Sequence, residues 1–117
     1  MTRLFGINNC DTIKKAKAWL HTQNIDYVFH DYKKDGVESS FLQDMIQQHG
    51  LDTVVNKRGT TYRKLTQNQK DNLNEQNAVT LLCENTSMIK RPILVHENKS
   101  LIGFKAQAYE AMFSSDS

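Results

Sequence analysis

Residues 4–20, LFGINNCDTIKKAKAWL, decide how the fold is read. Leu4, Phe5 and Ile7 form a short apolar run that stops at Asn8-Asn9. From Asp11 to about Gln23, Ile13, Ala16, Trp19 and Leu20 then recur at helical spacing. The stretch therefore predicts a strand, a loop and a helix, with Cys10 in the turn between them. Moving outward, Ile25 to Tyr32 carries Tyr27, Val28, Phe29 and Tyr32 and breaks at Lys33-Lys34-Asp35-Gly36, which predicts a second strand ending in a turn. A strand–helix–strand unit with a crossover of this length favours a parallel pair with a right-handed connection.

The middle of the chain changes character. Phe41, Leu42, Met45 and Ile46 recur at helical intervals from a cap candidate at Ser39-Ser40 to Gly50, and Leu73, Val79, Leu81 and Leu82 suggest further helices to about Glu84. After Pro92 strand character returns in Ile93-Leu94-Val95, followed by a turn at Glu97-Asn98-Lys99, a second short strand at Leu101-Ile102 and a closing helix from Lys105 to Phe113. No internal repeat is present, and Ser114 to Ser117 are expected to fray.

Composition limits the possible classes. A chain of 117 residues is one domain's worth and buries roughly two-thirds of its unfolded surface, so it needs no disulfide or structural metal. One proline excludes a proline-rich linker, and two cysteines, at positions 10 and 83, form neither a zinc pattern nor a disulfide framework. Fifteen Lys and Arg against 13 Asp and Glu give a net charge of +2, too balanced to predict nucleic-acid or membrane binding. No signal-peptide core opens the chain and no run of about 18 apolar residues occurs. A soluble, cytoplasmic protein is expected, and in that reducing compartment a cysteine is a free thiol or a redox centre.

Cys10 is the leading chemical candidate because of its position. At a helix N-terminus, unpaired backbone N–H groups and the positive end of the dipole favour a thiolate. Asp11 opposes this, while Lys14 and Lys15 support it. Position alone leaves two readings, a nucleophilic thiolate or a small residue filling a tight turn. Cys83, late in a predicted helix, reads as a small buried apolar group. The residue three after Cys10 is Ile13, so there is no C-x-x-C dithiol. Arg91-Pro92 combines a strand-entry or cis proline with an arginine that, taken alone, is either a surface charge or a guanidinium fork suited to an oxyanion. The loop from Asn56 to Lys64 adds Lys57, Arg58, Arg63 and Lys64, as a solvated basic loop, a cover for an anion or a contact for nucleic acid. His21, His30, His49 and His96 show no ligand spacing, so no metal is assigned, and they read as surface or edge residues.

Taken together, four ordered segments resemble the glutaredoxin-coupled arsenate reductase family, the ArsC and Spx group of thioredoxin-like proteins, in its YffB-type branch. They are NNCDTIKKA at 8–16, NKRGTTYRKL at 56–65, IKRPILV at 89–95 and IGFK at 102–105. The resemblance implies an α/β, thioredoxin-like fold in a single domain spanning 1–117, with thioredoxin-like parts at 1–35 and 88–113 and a helical insertion at about 36–87. It gives Cys10 the nucleophile's place, with Arg58, Arg91, Lys14 and Lys105 as anion-binding residues and Asn9 and Pro92, the family's cis proline, as structural residues at the site.

The activity implied is that of a glutathione-dependent thiol reductase, with glutathione as co-substrate, glutaredoxin as a possible partner, and no bound cofactor. Arsenate reductases carry a further arginine near the final strand where this chain has Gly103-Phe104-Lys105, and a lysine does not reproduce a bidentate contact. A true arsenate reductase is one alternative. The other is a non-catalytic regulator of Spx type contacting RNA polymerase, although Cys10 lacks the C-x-x-C partner of that group's redox switch.

Overall fold

The computed structural model describes residues 2–8 and 10–114. In chain order it contains β1 (Thr2–Gly6), α1 (Asp11–Thr22), β2 (Val28–Asp31), α2 (Tyr32–Asp35), α3 (Ser39–His49), α4 (Leu51–Val54), α5 (Thr60–Arg63), α6 (Gln67–Asp71) and α7 (Glu75–Glu84). A 3-10 turn at Thr86–Met88, β3 (Ile93–His96), β4 (Lys99–Ile102) and α8 (Ala106–Ser114) complete it. The described residues fall into two compact units: the chain up to Tyr32 together with the chain from Arg91 onward, and Lys33–Lys90.

The first unit is built on a four-stranded sheet in the order β2-β1-β3-β4. β1 and β2 are parallel, with Arg3 opposite Val28 and Gly6 opposite Asp31, as the crossover helix between them requires. β3 runs antiparallel to β1, pairing Phe5 with Ile93, and the β3–β4 hairpin pairs Ile93 with Ile102. This βαβ half joined to a ββα half is the thioredoxin-type arrangement. Leu4, Ala16, Leu20, Leu94, Tyr109 and Met112 form its buried core, with Trp19, Ile25, Tyr27, Phe29, Leu101, Phe104 and Phe113 packed around it. Each large aliphatic side chain buried there contributes about 1.5–3 kcal/mol. Trp19 meets Tyr109 edge-on, with ring centroids 5.5 Å apart, and so serves packing.

In the second unit α3 and α7 pack together, burying Leu42, Met45 and Ile46 from one and Ala78, Val79 and Leu82 from the other. Asn74 caps α7: its side chain accepts from the N–H groups of Gln76 and Asn77 at 2.9 Å each, and Asn77 reciprocates at the Asn74 backbone.

Several boundaries differ from expectation. β2 is shorter than Ile25 to Tyr32, because the Ile25 N–H closes back on the Leu20 carbonyl at 3.0 Å, with Asn24 at φ 56°. Residues 25–27 are thereby used in leaving the helix, and Tyr32 opens a helical turn instead of ending the strand. Glu38, not Ser39-Ser40, takes the N-cap position of α3, and both serines enter the helix. The basic loop contains a helical turn, α5. His96 is not an edge residue: it stands half-buried on β3, with its Nδ1 2.8 Å from the Thr2 hydroxyl.

Candidate active site around Cys10

β1 ends at Gly6, and the chain must turn from there into α1 within a few residues. Gly6 is required by close approach. A Cβ at this position would collide with Cδ1 of Ile13, lie 3.0 Å from its Cγ1 and 3.7 Å from the Cβ of Arg91. Its absence lets the first turn of α1 and the Arg91 backbone settle on the strand end. Asn8, in the connecting loop, donates from Nδ2 to the buried Asp31 carboxylate at 3.2 Å and accepts from Lys17 Nζ at 3.4 Å. The loop is thus tied to β2 on one side and α1 on the other.

Cys10 occupies the N-cap of α1 with extended backbone, φ −113° and ψ 129°, and its carbonyl accepts the first helical bond from the Lys14 N–H at 3.0 Å. Its thiol makes no capping bond, so what acts on it is the balance between burial and nearby donors. Partial burial pushes the thiol up. The N–H groups of Ile13 and Thr12, a hydrogen bond from the Arg91 guanidinium and that group's charge together outweigh it, and the thiol lies below its ordinary value. Cys83 behaves oppositely: burial, then the charge of Glu84, pushes its thiol up, and its Sγ donates to the Val37 carbonyl at 3.6 Å.

Within the first unit, then, Cys10 and Arg91 are brought together. The Arg91–Pro92 peptide is cis, as the family resemblance implied, and Pro92 is buried. Its carbonyl accepts from the Gly103 N–H at 2.8 Å, where Gly103 adopts φ 90° between β4 and α8. Lys105 is exposed and supplies the carbonyl that receives the Tyr109 N–H at 3.0 Å at the start of α8. Lys14 is exposed on α1, and the groups acting on the thiol are those named above. Asn9 lies outside the described residues.

Arg58 belongs to the second unit. There Asp52, Asn56, Lys57, Arg58 and Lys90 line a concavity of about 330 Å³. Backbone bonds fix its wall: Asn56 N–H to the Met88 carbonyl at 2.7 Å, and Lys90 N–H to the Val54 carbonyl at 2.8 Å. Lys57 is drawn to Asp52 at 2.6 Å, and the remaining basic groups, Arg58 and Lys90, are exposed.

Sequence reasoning missed Tyr32, which it read only as the end of a strand. The side chain is fully buried, and Arg91 acts on its phenol as well as on Cys10. The signal available was an aromatic residue ending the strand predicted to lie beside β1. Among the described residues, no cluster of three or more His, Cys, Asp or Glu side chains could hold a metal, and no helix is long and apolar enough to cross a membrane.

A βαβ–ββα sheet with a cysteine at the N-cap of its first helix and a cis proline before its third strand defines a thioredoxin-like protein of the arsenate-reductase-like kind. The chain belongs to the ArsC family, whose model matches residues 5–112. A solved YFFB protein is 45% identical, covers 95% of this chain and 97% of its own, and superposes with a TM-score of 0.91. An arsenate reductase related protein from Brucella melitensis is 41% identical over 96% of this chain and 93% of its own, with a TM-score of 0.74. The global transcriptional regulator Spx of Streptococcus pyogenes is 25% identical over 99% of this chain and 87% of its own length.

Proposed function

We propose that this protein is a glutathione-dependent thiol reductase with Cys10 as its single nucleophile. The observation that carries this reading is the Cys10 thiol itself, which sits at the α1 N-terminus, where nearby backbone N–H groups and the Arg91 guanidinium shift it toward the thiolate. In this mechanism the Cys10 thiolate attacks the glutathionyl sulfur of a mixed disulfide. The bond between the two sulfurs of the substrate breaks, the substrate leaves as a thiolate, and Cys10 becomes glutathionylated. A second glutathione thiolate, free or delivered through glutaredoxin, then attacks that glutathionyl sulfur, releasing glutathione disulfide and restoring the Cys10 thiolate. One disulfide is reduced and one formed, and no bound cofactor takes part.

Arg91 and Lys105 receive the carboxylates of glutathione, and Lys14 supports the ionised sulfur. Cys83, with its thiol pushed up, takes no part. This chemistry suits a reducing, cytoplasmic setting. The test is mass spectrometry after incubation with glutathione disulfide: one glutathione on Cys10, absent from Cys10→Ser, removed by reduced glutathione. No adduct at Cys10 refutes the reading.

A second reading is supported by the Spx relatives, whose similarity extends over nearly the whole chain. On it, the same fold is a non-catalytic platform for RNA polymerase. Stoichiometric polymerase capture that survives Cys10→Ser, without thiol turnover, would establish it. Arsenate reduction is disfavoured by Lys105, which offers a point charge where a bidentate arginine is expected, and turnover of arsenate with glutathione and glutaredoxin decides it.

A further inference from the structure

Tyr32 is only 1% exposed, and among the described residues its hydroxyl is a buried polar group with no hydrogen-bond partner. A phenol shut away from water ordinarily finds a partner, because an unpaired donor bears its full desolvation cost. The sheet register explains where this one lies. Gly6 pairs with Asp31, so Tyr32 follows directly beyond the strand end from which the chain passes to Cys10. At Gly6, Ile13 from the first turn of α1 packs against the strand end, and a Cβ there would lie 3.7 Å from the Cβ of Arg91. A thiol, a guanidinium and an unused hydroxyl donor therefore share one end of the first unit. Burial pushes the Tyr32 phenol up, against the opposing charge of Arg91, so that it keeps its proton and acts as a donor across the physiological range.

We propose that the Tyr32 hydroxyl is a binding donor that, beside Arg91, receives a carboxylate of the electrophile attacked by Cys10. This rests on the thiol-reductase reading and extends it to recognition. No hydrogen bond has to break for a carboxylate drawn in by Arg91 to reach the hydroxyl; the side chains that bury it must part to admit the ligand. The carboxylate, left in water, would be solvated; here it would gain a charge-assisted bond from a donor for which bulk water does not compete.

The experiment compares wild type with Tyr32→Phe, which keeps the ring and removes the hydroxyl. Rates of Cys10 alkylation by iodoacetate and by iodoacetamide are followed by mass spectrometry, together with the thermal midpoint. Loss of the donor should lower the iodoacetate-to-iodoacetamide rate ratio about tenfold, the scale of one hydrogen bond to a charged group. The iodoacetamide pH profile should stay in place, and the thermal midpoint should hold or rise, because an unpaired buried hydroxyl has been removed.

An unchanged ratio overturns the assignment. So does a lowered midpoint, which would show that the hydroxyl has a structural partner. If either occurs while wild-type Cys10 still forms its glutathione adduct, only the Tyr32 assignment fails. If the wild type forms no adduct and Cys10 titrates as an ordinary thiol, the thiol-reductase reading fails with it.

Discussion

Gly6→Ala puts one methyl group where the structure has least room. The new Cβ would run into Cδ1 of Ile13 and sit 3.0 Å from its Cγ1. Ile13 is 1% exposed, so it has no solvent to swing into, and β1 is hydrogen-bonded on both sides, by β2 and β3, so the strand cannot shift away. Forcing a methyl into such a site costs about 1–3 kcal/mol. For a chain of this length each kcal/mol lowers the thermal midpoint by roughly 4 °C.

The same displacement moves the Thr12 and Ile13 N–H groups relative to the Cys10 sulfur, so the thiol should return toward its ordinary value. Ile13→Val removes the obstructing Cδ1 and by itself should cost about 0.5–1.5 kcal/mol. In the Gly6→Ala background it should cost less than that or restore stability, giving a coupling energy on the order of 1 kcal/mol. Urea denaturation of the four proteins measures this, with midpoints that move while the slope stays constant. A Gly6→Ala protein as stable as the parent, or two substitutions that simply add, would refute the claim that close approach is what Gly6 provides.

Arg91→Gln removes a hydrogen bond and a positive charge that both lower the Cys10 thiol, so the pH midpoint of Cys10 alkylation should rise; an unmoved midpoint would mean the guanidinium does not act on the sulfur. The fold also favours the ionised form of Cys10. Relative to Cys10→Ser, that stabilisation should be present above the ordinary thiol pKa of about 8.5 and be lost as pH falls through the lowered value, which urea midpoints measured across that range would reveal.

The parts of the fold legible in the sequence were those with a period. Ile13, Ala16 and Leu20 mark the buried face of α1, and Leu4 and Leu94 sit in strands whose apolar runs were evident. α4 and α5 were not legible, since four residues cannot carry a 3.6-residue repeat. The site divided similarly. Cys10 at a strand-to-helix turn is a local fact and could be read directly. The bond from Asn8 to Asp31 and the placement of Tyr32 depend on the Gly6–Asp31 register, which no local pattern specifies. The effect of Arg91 on Cys10 joins distant segments through the β1–β3 pairing, and motif resemblance indicated it where spacing could not.

Alkylation of Cys10 and Cys83 in the same molecule, followed site by site against pH, tests the central claim most directly. The two thiols are displaced in opposite directions, Cys10 down through N–H groups and Arg91 that outweigh its burial, Cys83 up through burial and Glu84. The account predicts that Cys10 reacts first, with a midpoint below the ordinary thiol range and below that of Cys83. A Cys10 midpoint at or above that of Cys83 would contradict it.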